Sequence, residues 1–213
     1  EKDQPEPVPR DRWQIGARYD GVDEGSGLVE LEMTLNGGFE PGGIYELIYE
    51  ARGSVVQGTG FAAMRDVVSF LKHDDTEMNP LRRADGAPLA ERVIGHGLSQ
   101  SGRAIRMFLY EGFNADERDR LVFDGVMPTI AGGGQGFFNH RFASPTRTAT
   151  QHAGHLYPAD MFPFTYGDET DPFTGRTDGL LRRARASGTV PKVMHLDTSS
   201  EYRHRSGSLG VTD

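Results

Sequence analysis

The chain reads as an α/β protein: a mostly parallel sheet, helices on both of its faces, and an irregular cap. Two observations carry this reading. Short apolar or alternating runs repeatedly give way to segments with helical spacing, the order that builds parallel sheets. Residues 134 to 178 are aromatic and glycine-rich, lack any period, and far exceed the ~12–15 residues of an ordinary connection, as a lid or binding loop does. With 213 residues, 36% of them hydrophobic, the chain can bury one sizeable core.

The elements follow in order. "EKDQPEPVPRDRW" carries Pro5, Pro7 and Pro9, which remove donors and favour extended backbone, so neither a helix nor a central strand is expected there. Residues 1–27 therefore read as an extended N-terminal segment or linker, and 28–213 as the core, with the cap-like insertion at about 134–178. "LVELEMTL" (28 to 35) sets Val29, Leu31, Met33 and Leu35 against Glu30, Glu32 and Thr34, a half-buried strand. "NGGFEPGG" turns the chain, and "IYELIYEA" (44 to 51) reads as a second, more buried strand. In "FAAMRDVVSFLKHD", Phe61, Met64, Val67, Val68 and Leu71 stand at helical spacing. After a turn-rich loop (74 to 90) come the strand "RVIGHG", the helix "GRAIRMFLYEGF" and the strand "LVFDGVMPTIAGG". Beyond the excursion, Asp178 is the expected cap of a short helix, "GLLRRARAS", which Gly188 closes. "KVMHLDTSSE" reads as the last strand.

Composition excludes several classes of function. With 31 acidic residues against 23 basic ones, the net charge is -8, and no basic stripe offers itself to a nucleic-acid backbone. No apolar run approaches the ~20 residues of a membrane span. Cysteine is absent, which removes disulfides, thiolate metal sites and cysteine nucleophiles together. No signal peptide is visible, so the compartment stays open between the cytoplasm and an exported protein whose signal lies elsewhere, and the oligomeric state stays open too. "QHAGH", with Asp160 and His140, reads as loop histidines rather than a metal cluster. "DETDPFTGRTDG" (Asp168, Asp171, Asp178) fails the calcium-loop rule and reads as a turn cluster. "NADERDR" is a solvated charge run. No cofactor is expected.

The stretch with chemical content is "GHGLSQSGR", residues 95 to 103. A strand leads into it and a helix leaves it, with Ser99 at the join. Such an elbow exposes a serine hydroxyl at the sheet's rim and aims free helix N–H groups at the same point. Its crowding demands small residues two positions either side: Gly97 meets this, while Ser101 stands where glycine is usual and Gly102 follows. The plain alternative is a serine acting as an N-cap. Neither G-x-G-x-x-G nor a P-loop can be written here.

"GLSQSGR", together with "FDGVMPTIAGGGQGFFNHRFASPTRT", "QHAGHLYPADMFPF" and "DGLLRRARASGTVPKVMHLDTSSEYRHRSGSL", resembles bacterial α/β-hydrolase-domain proteins of the GxSQSGR type. These are large, poorly characterised proteins regarded as serine esterases, and the resemblance spans roughly residues 39 to 213. More distantly the chain is similar to glucuronoyl esterases, where G-x-S-x-x-G-Lys/Arg carries the nucleophile; here that pattern falls on Gly97, Ser99, Gly102 and Arg103. The resemblance implies an α/β-hydrolase fold and a small-molecule ester substrate, cleaved through an acyl-enzyme. Ser99 is then the nucleophile and the Gln100 N–H an oxyanion donor, while Arg103 is either a second donor or the partner of an acidic neighbour.

In the α/β-hydrolase order the acid follows the seventh strand and the histidine the eighth. Counting from the elbow, "KVMHLDTSSE" is the seventh, which makes Glu201 the expected acid and Asp197 the runner-up, facing the packing inside the strand. Only twelve residues follow Glu201, too few for another helix, strand and histidine loop, and similar proteins continue further. The expectation is a fragment lacking its catalytic histidine and its first strands. Among the seven histidines, His204 and His155 are fallbacks, His152 shares the excursion with His155, and His96 and His195 read as core histidines. The aromatic series from Phe137 to Phe173 would hold a cap together or line an acyl pocket. The rival class is a catalytically inactive binding module that keeps the fold.

Overall fold

The computed structural model describes residues 6–18, 30–43, 45–50, 59–136, 138 and 161–211. The chain divides into two compact units, Glu1–Glu50 and Ala51–Asp213.

In the first unit a 3-10 turn at Arg10–Arg12 leads into β1 (Trp13–Arg18), which pairs antiparallel with β2 (Glu30–Leu35), from Trp13↔Leu35 to Arg18↔Glu30. The segment expected to be only extended thus holds a helical turn and a strand. Pro9 is the N-cap of that turn, where its fixed φ suits the geometry and its missing N–H is no loss. β2 alternates as expected, Met33 and Leu35 being half-buried and Glu32 and Thr34 exposed. The second strand expected over 44–51 is not formed at residues 45–50, where Ile48 is 86% exposed. Its apolar content found no ladder among the described residues, and a strand exists only where a neighbour takes its N–H and C=O groups.

The second unit opens with α1 (Gly60–His73), followed by β3 (Ile94–Leu98), α2 (Gln100–Tyr110) and β4 (Gly125–Thr129). The described end of the excursion, 161–178, contains a small hairpin of β5 (Glu169–Thr170) and β6 (Thr177–Asp178). Then come α3 (Arg182–Ser187), β7 (Lys192–Val193) and α4 (Ser199–His204). Asp178 does not cap α3, which starts after Leu181 without a side-chain cap. Its carboxylate instead accepts hydrogen bonds from Gly179 N, the Tyr110 hydroxyl and Arg176. Gly188 does close α3, in the left-handed region at φ 71°. In "DETDPFTGRTDG", Asp171 accepts from Phe173 N and Thr174, and Asp168 pairs with Arg185 at 3.0 Å.

β3, β4 and β7 form a parallel sheet in that order, aligned Ile94↔Gly125 and Gly125↔Lys192, and extended by a bridge from Leu196 to Thr129. Period two divides its faces. Gly95, Gly97, Val126 and Pro128 are buried on the side where α2 packs, its apolar face being Ile105, Phe108 and Leu109. Phe108 and Leu109 have no exposed surface, and Phe61 of α1 meets Phe108 edge-on at 5.9 Å. Each such side chain contributes about 1.5–3 kcal/mol by leaving water. Leu181 and Ala184 at α3 join the same core. On the opposite face Ile94, His96, Leu98, Met127, Met194 and Leu196 are exposed, so among the described residues the helices cover one face. No helix among them is long and apolar enough to cross a membrane.

Candidate active site

Three parallel strands end on one edge. β3 runs into Ser99, β4 into Ile130–Gly133, and the β7 strand, through Leu196, into Asp197 and α4. The carboxyl ends of parallel strands are where open α/β sheets bind ligands. Among the described residues four non-glycine positions have positive φ, and three lie here: Ser99 at 55°, Ile130 at 47° and Ser206 at 55°. Ser206 belongs to this edge because a Cβ on Gly133 would strike its carbonyl. Each such position costs on the order of 1–3 kcal/mol, and strain of this kind collects at functional sites.

Ser99 has φ 55° and ψ −114°, is exposed, and occupies the N-cap position of α2 without making a capping bond from its side chain. Its backbone does the anchoring: Ser99 N donates to Thr129 O at 2.8 Å, and Ser99 O accepts from Arg103 N at 3.0 Å. A Cβ on Gly97 would run into the Ser101 carbonyl and stand 2.7 Å from Gly102 N. One on Gly102 would meet Gly97 O at 3.0 Å, with Ala131 Cβ and Thr129 O at 3.1 Å. Ser101 departs from the usual glycine and closes the turn, its Oγ donating to Leu98 O at 2.8 Å and accepting from Leu98 N at 2.9 Å. The Gln100 N–H, first in α2, is one of the donors a helix cannot satisfy internally.

Glu201 lies on the first turn of α4, not at a strand end as expected. Together with Thr198 it forms a capping box: Ser200 N donates to Thr198 Oγ1, and Glu201 Oε2 accepts from Thr198 N at 3.0 Å and from the Thr198 hydroxyl. The Thr198 bonds hold the carboxyl below the usual carboxylate range. Both fall on Oε2. Asp197, the runner-up, accepts from Gly132 N at 3.1 Å and lies 3.1 Å from His195 Nε2 without a hydrogen bond between them.

His195 is half-buried, with Nδ1 3.0 Å from the Tyr166 hydroxyl. Burial lowers its pKa, Asp197 opposes this, and Arg106 reinforces it. Burial also pushes the Tyr166 hydroxyl up to about 12. His96 lies on the exposed sheet face, 3.3 Å from Thr129 Oγ1, and His204 on α4 is exposed. His140, His152, His155 and Asp160 lie outside the described residues, as do Phe137, Phe142 and Tyr157. Among the described residues no histidine hydrogen-bonds the Ser99 hydroxyl. Of the other aromatics, Phe138 packs 5.9 Å from Phe61, and Phe173 is 96% exposed.

Arg106, which the sequence reading did not single out, is 2% exposed. Its guanidinium donates to Gly132 O, to Gly134 O at 3.2 Å and to Phe164 O at 2.8 Å, tying the loop after β4 to the segment before β5. The sign of it was an arginine between Ile105 and Met107 in an apolar helix run. The capping box was equally visible as T-S-S-E. Arg103, three residues before Arg106, is half-buried. Burial and the neighbouring charges of Arg205 and Arg106 lower its pKa.

A parallel sheet carrying a strained serine at a strand-to-helix turn defines a protein of the hydrolase-like α/β class. The chain belongs to the alpha/beta hydrolase domain family, whose model matches residues 10–211, and this makes it a hydrolase in general terms. No curated protein and no solved structure matches it.

Proposed function

We propose that the protein is a serine esterase, cleaving carboxylic esters of small molecules through an acyl-enzyme. The observation that carries this is the backbone of Ser99: a strained conformation, fixed by Gly97 and Gly102, that exposes a hydroxyl no capping bond uses. Strain kept at an exposed hydroxyl has no use in an ordinary turn. Ser99 Oγ attacks the ester carbonyl while a histidine takes its proton; the Gln100 N–H holds the oxyanion, with Arg103 as second donor. The histidine returns the proton to the departing alcohol, and water then releases the acid. Glu201 orients the histidine through Oε1, since Oε2 serves Thr198. We assign the base to a histidine that the described residues do not supply, with His204 on α4 and His155, outside those residues, as the fallbacks. The finer kinship, to GxSQSGR-type esterases and distantly to glucuronoyl esterases, is part of this reading.

Hydrolysis of p-nitrophenyl butyrate tests it. Ser99→Ala is expected to lower kcat/KM by at least about 10³-fold, and a fluorophosphonate adduct should map to Ser99. Unchanged hydrolysis by the alanine variant would overturn the reading.

A further inference from the structure

Arg103 is one turn after Ser99, on the face of α2 that also carries Arg106, since residues three apart share a face. Arg106 spends its charge on three backbone carbonyls of the adjacent loops. Arg103 has no such employment: among the described residues neither a hydrogen bond nor an ion pair engages its side chain. The charges acting on it are both positive, Arg205 and Arg106. Arg205 is held at this edge by its carbonyl, which accepts from Gly133 N at 2.7 Å. Of the carboxylates at this edge, Asp197 accepts from Gly132 N, and Glu201 accepts from Thr198 and is acted on by the charge of Arg205. A cation drawn partly out of water beside like charges is unfavourable unless an anion shares the space.

We propose that Arg103 receives an anionic group of the substrate, and that the substrate is an ester also bearing a carboxylate. The planar guanidinium fork suits a carboxylate bound by two oxygens. This deepens the serine-esterase reading and rests on it, because that reading puts the ester carbonyl at Ser99. It also separates two duties for Arg103. An oxyanion exists only along the reaction path, whereas a substrate carboxylate is present in the ground state and its contact shows in binding itself.

Calorimetric titration of the Ser99→Ala protein with monomethyl succinate and with dimethyl succinate decides the matter without turnover. The monoanion is expected to bind at least about tenfold more tightly than the neutral diester. Arg103→Met should abolish that preference, Arg103→Lys should retain part of it, and added salt should weaken the monoanion alone. Equal binding of the two esters overturns the proposal, as does a cooperatively melting Arg103→Met protein that keeps the preference. Should that variant not fold, a preference insensitive to salt in the Ser99→Ala protein overturns it instead. Ser99-dependent hydrolysis of a neutral ester without anion preference removes the anion site and leaves the esterase. Anion preference without Ser99-dependent hydrolysis does the reverse.

Discussion

Ser101 shows how a single residue can break a motif and keep its geometry. The position two beyond the nucleophile is usually glycine because backbone crowds it, yet here a hydroxyl bridges Leu98 N and Leu98 O. Ser101→Ala keeps the Cβ and loses both bonds. It is expected to cost about 1 kcal/mol in urea unfolding and, on the serine-esterase reading, to lower ester hydrolysis through a loosened turn. The sequence made the demand for glycine at 97 legible, because the crowding follows from the turn itself. It did not make the Ser101 bridge legible, since a serine's partner depends on where Leu98 is carried by β3.

Among the elements, α1 and α2 could be read from helical spacing and β3 and β4 from short apolar runs between turns, although the buried positions of β3 are Gly95 and Gly97 and its apolar Ile94 and Leu98 are exposed. α4 could not: its six residues are all partly or fully exposed, so no apolar stripe marks it. What holds it is the Thr198–Glu201 box. Thr198→Ala is expected to cost about 1 kcal/mol by thermal unfolding. If Glu201 also orients the histidine, the same change should reduce kcat, since the carboxylate loses the hydroxyl that fixes it. The strand expected over 44–51 fails for the converse reason, apolar residues without a neighbouring ladder among those described. Arg106 belongs to both scales: one charged side chain inside an apolar run makes sense only once the carbonyls of residues 132, 134 and 164 have been brought around it.

For the molecule as a whole, tolerance of acid should depend on Asp116, which joins α1 to the loop before β4. Burial works against its ionisation, but hydrogen bonds from Ser69 Oγ, Arg120 N, Arg118 N and Arg120 Nε outweigh this and hold its pKa well below the usual carboxylate range. The native state therefore binds fewer protons than the unfolded chain once pH falls below the ordinary carboxylate value, about 4. The stabilisation is complete above that value and is lost progressively as pH drops toward the lower native one. Asp116→Asn should unfold at lower urea than the wild type at pH 7, with the gap narrowing toward pH 3. A gap that stays constant would mean that the carboxylate's charge is not what counts.

On the serine-esterase reading, the backbone of Ser99 has a cost that its reactivity justifies. Glycine accepts φ 55°, ψ −114° without side-chain conflict, so Ser99→Gly should abolish activity and yet raise stability by about 1 kcal/mol, the relief of strain less glycine's entropy. A lineage that stopped needing the chemistry would find that exchange open at once, a single substitution toward a sturdier and inert protein. The strained serine is thus a running expense, kept only while selection rewards what it does.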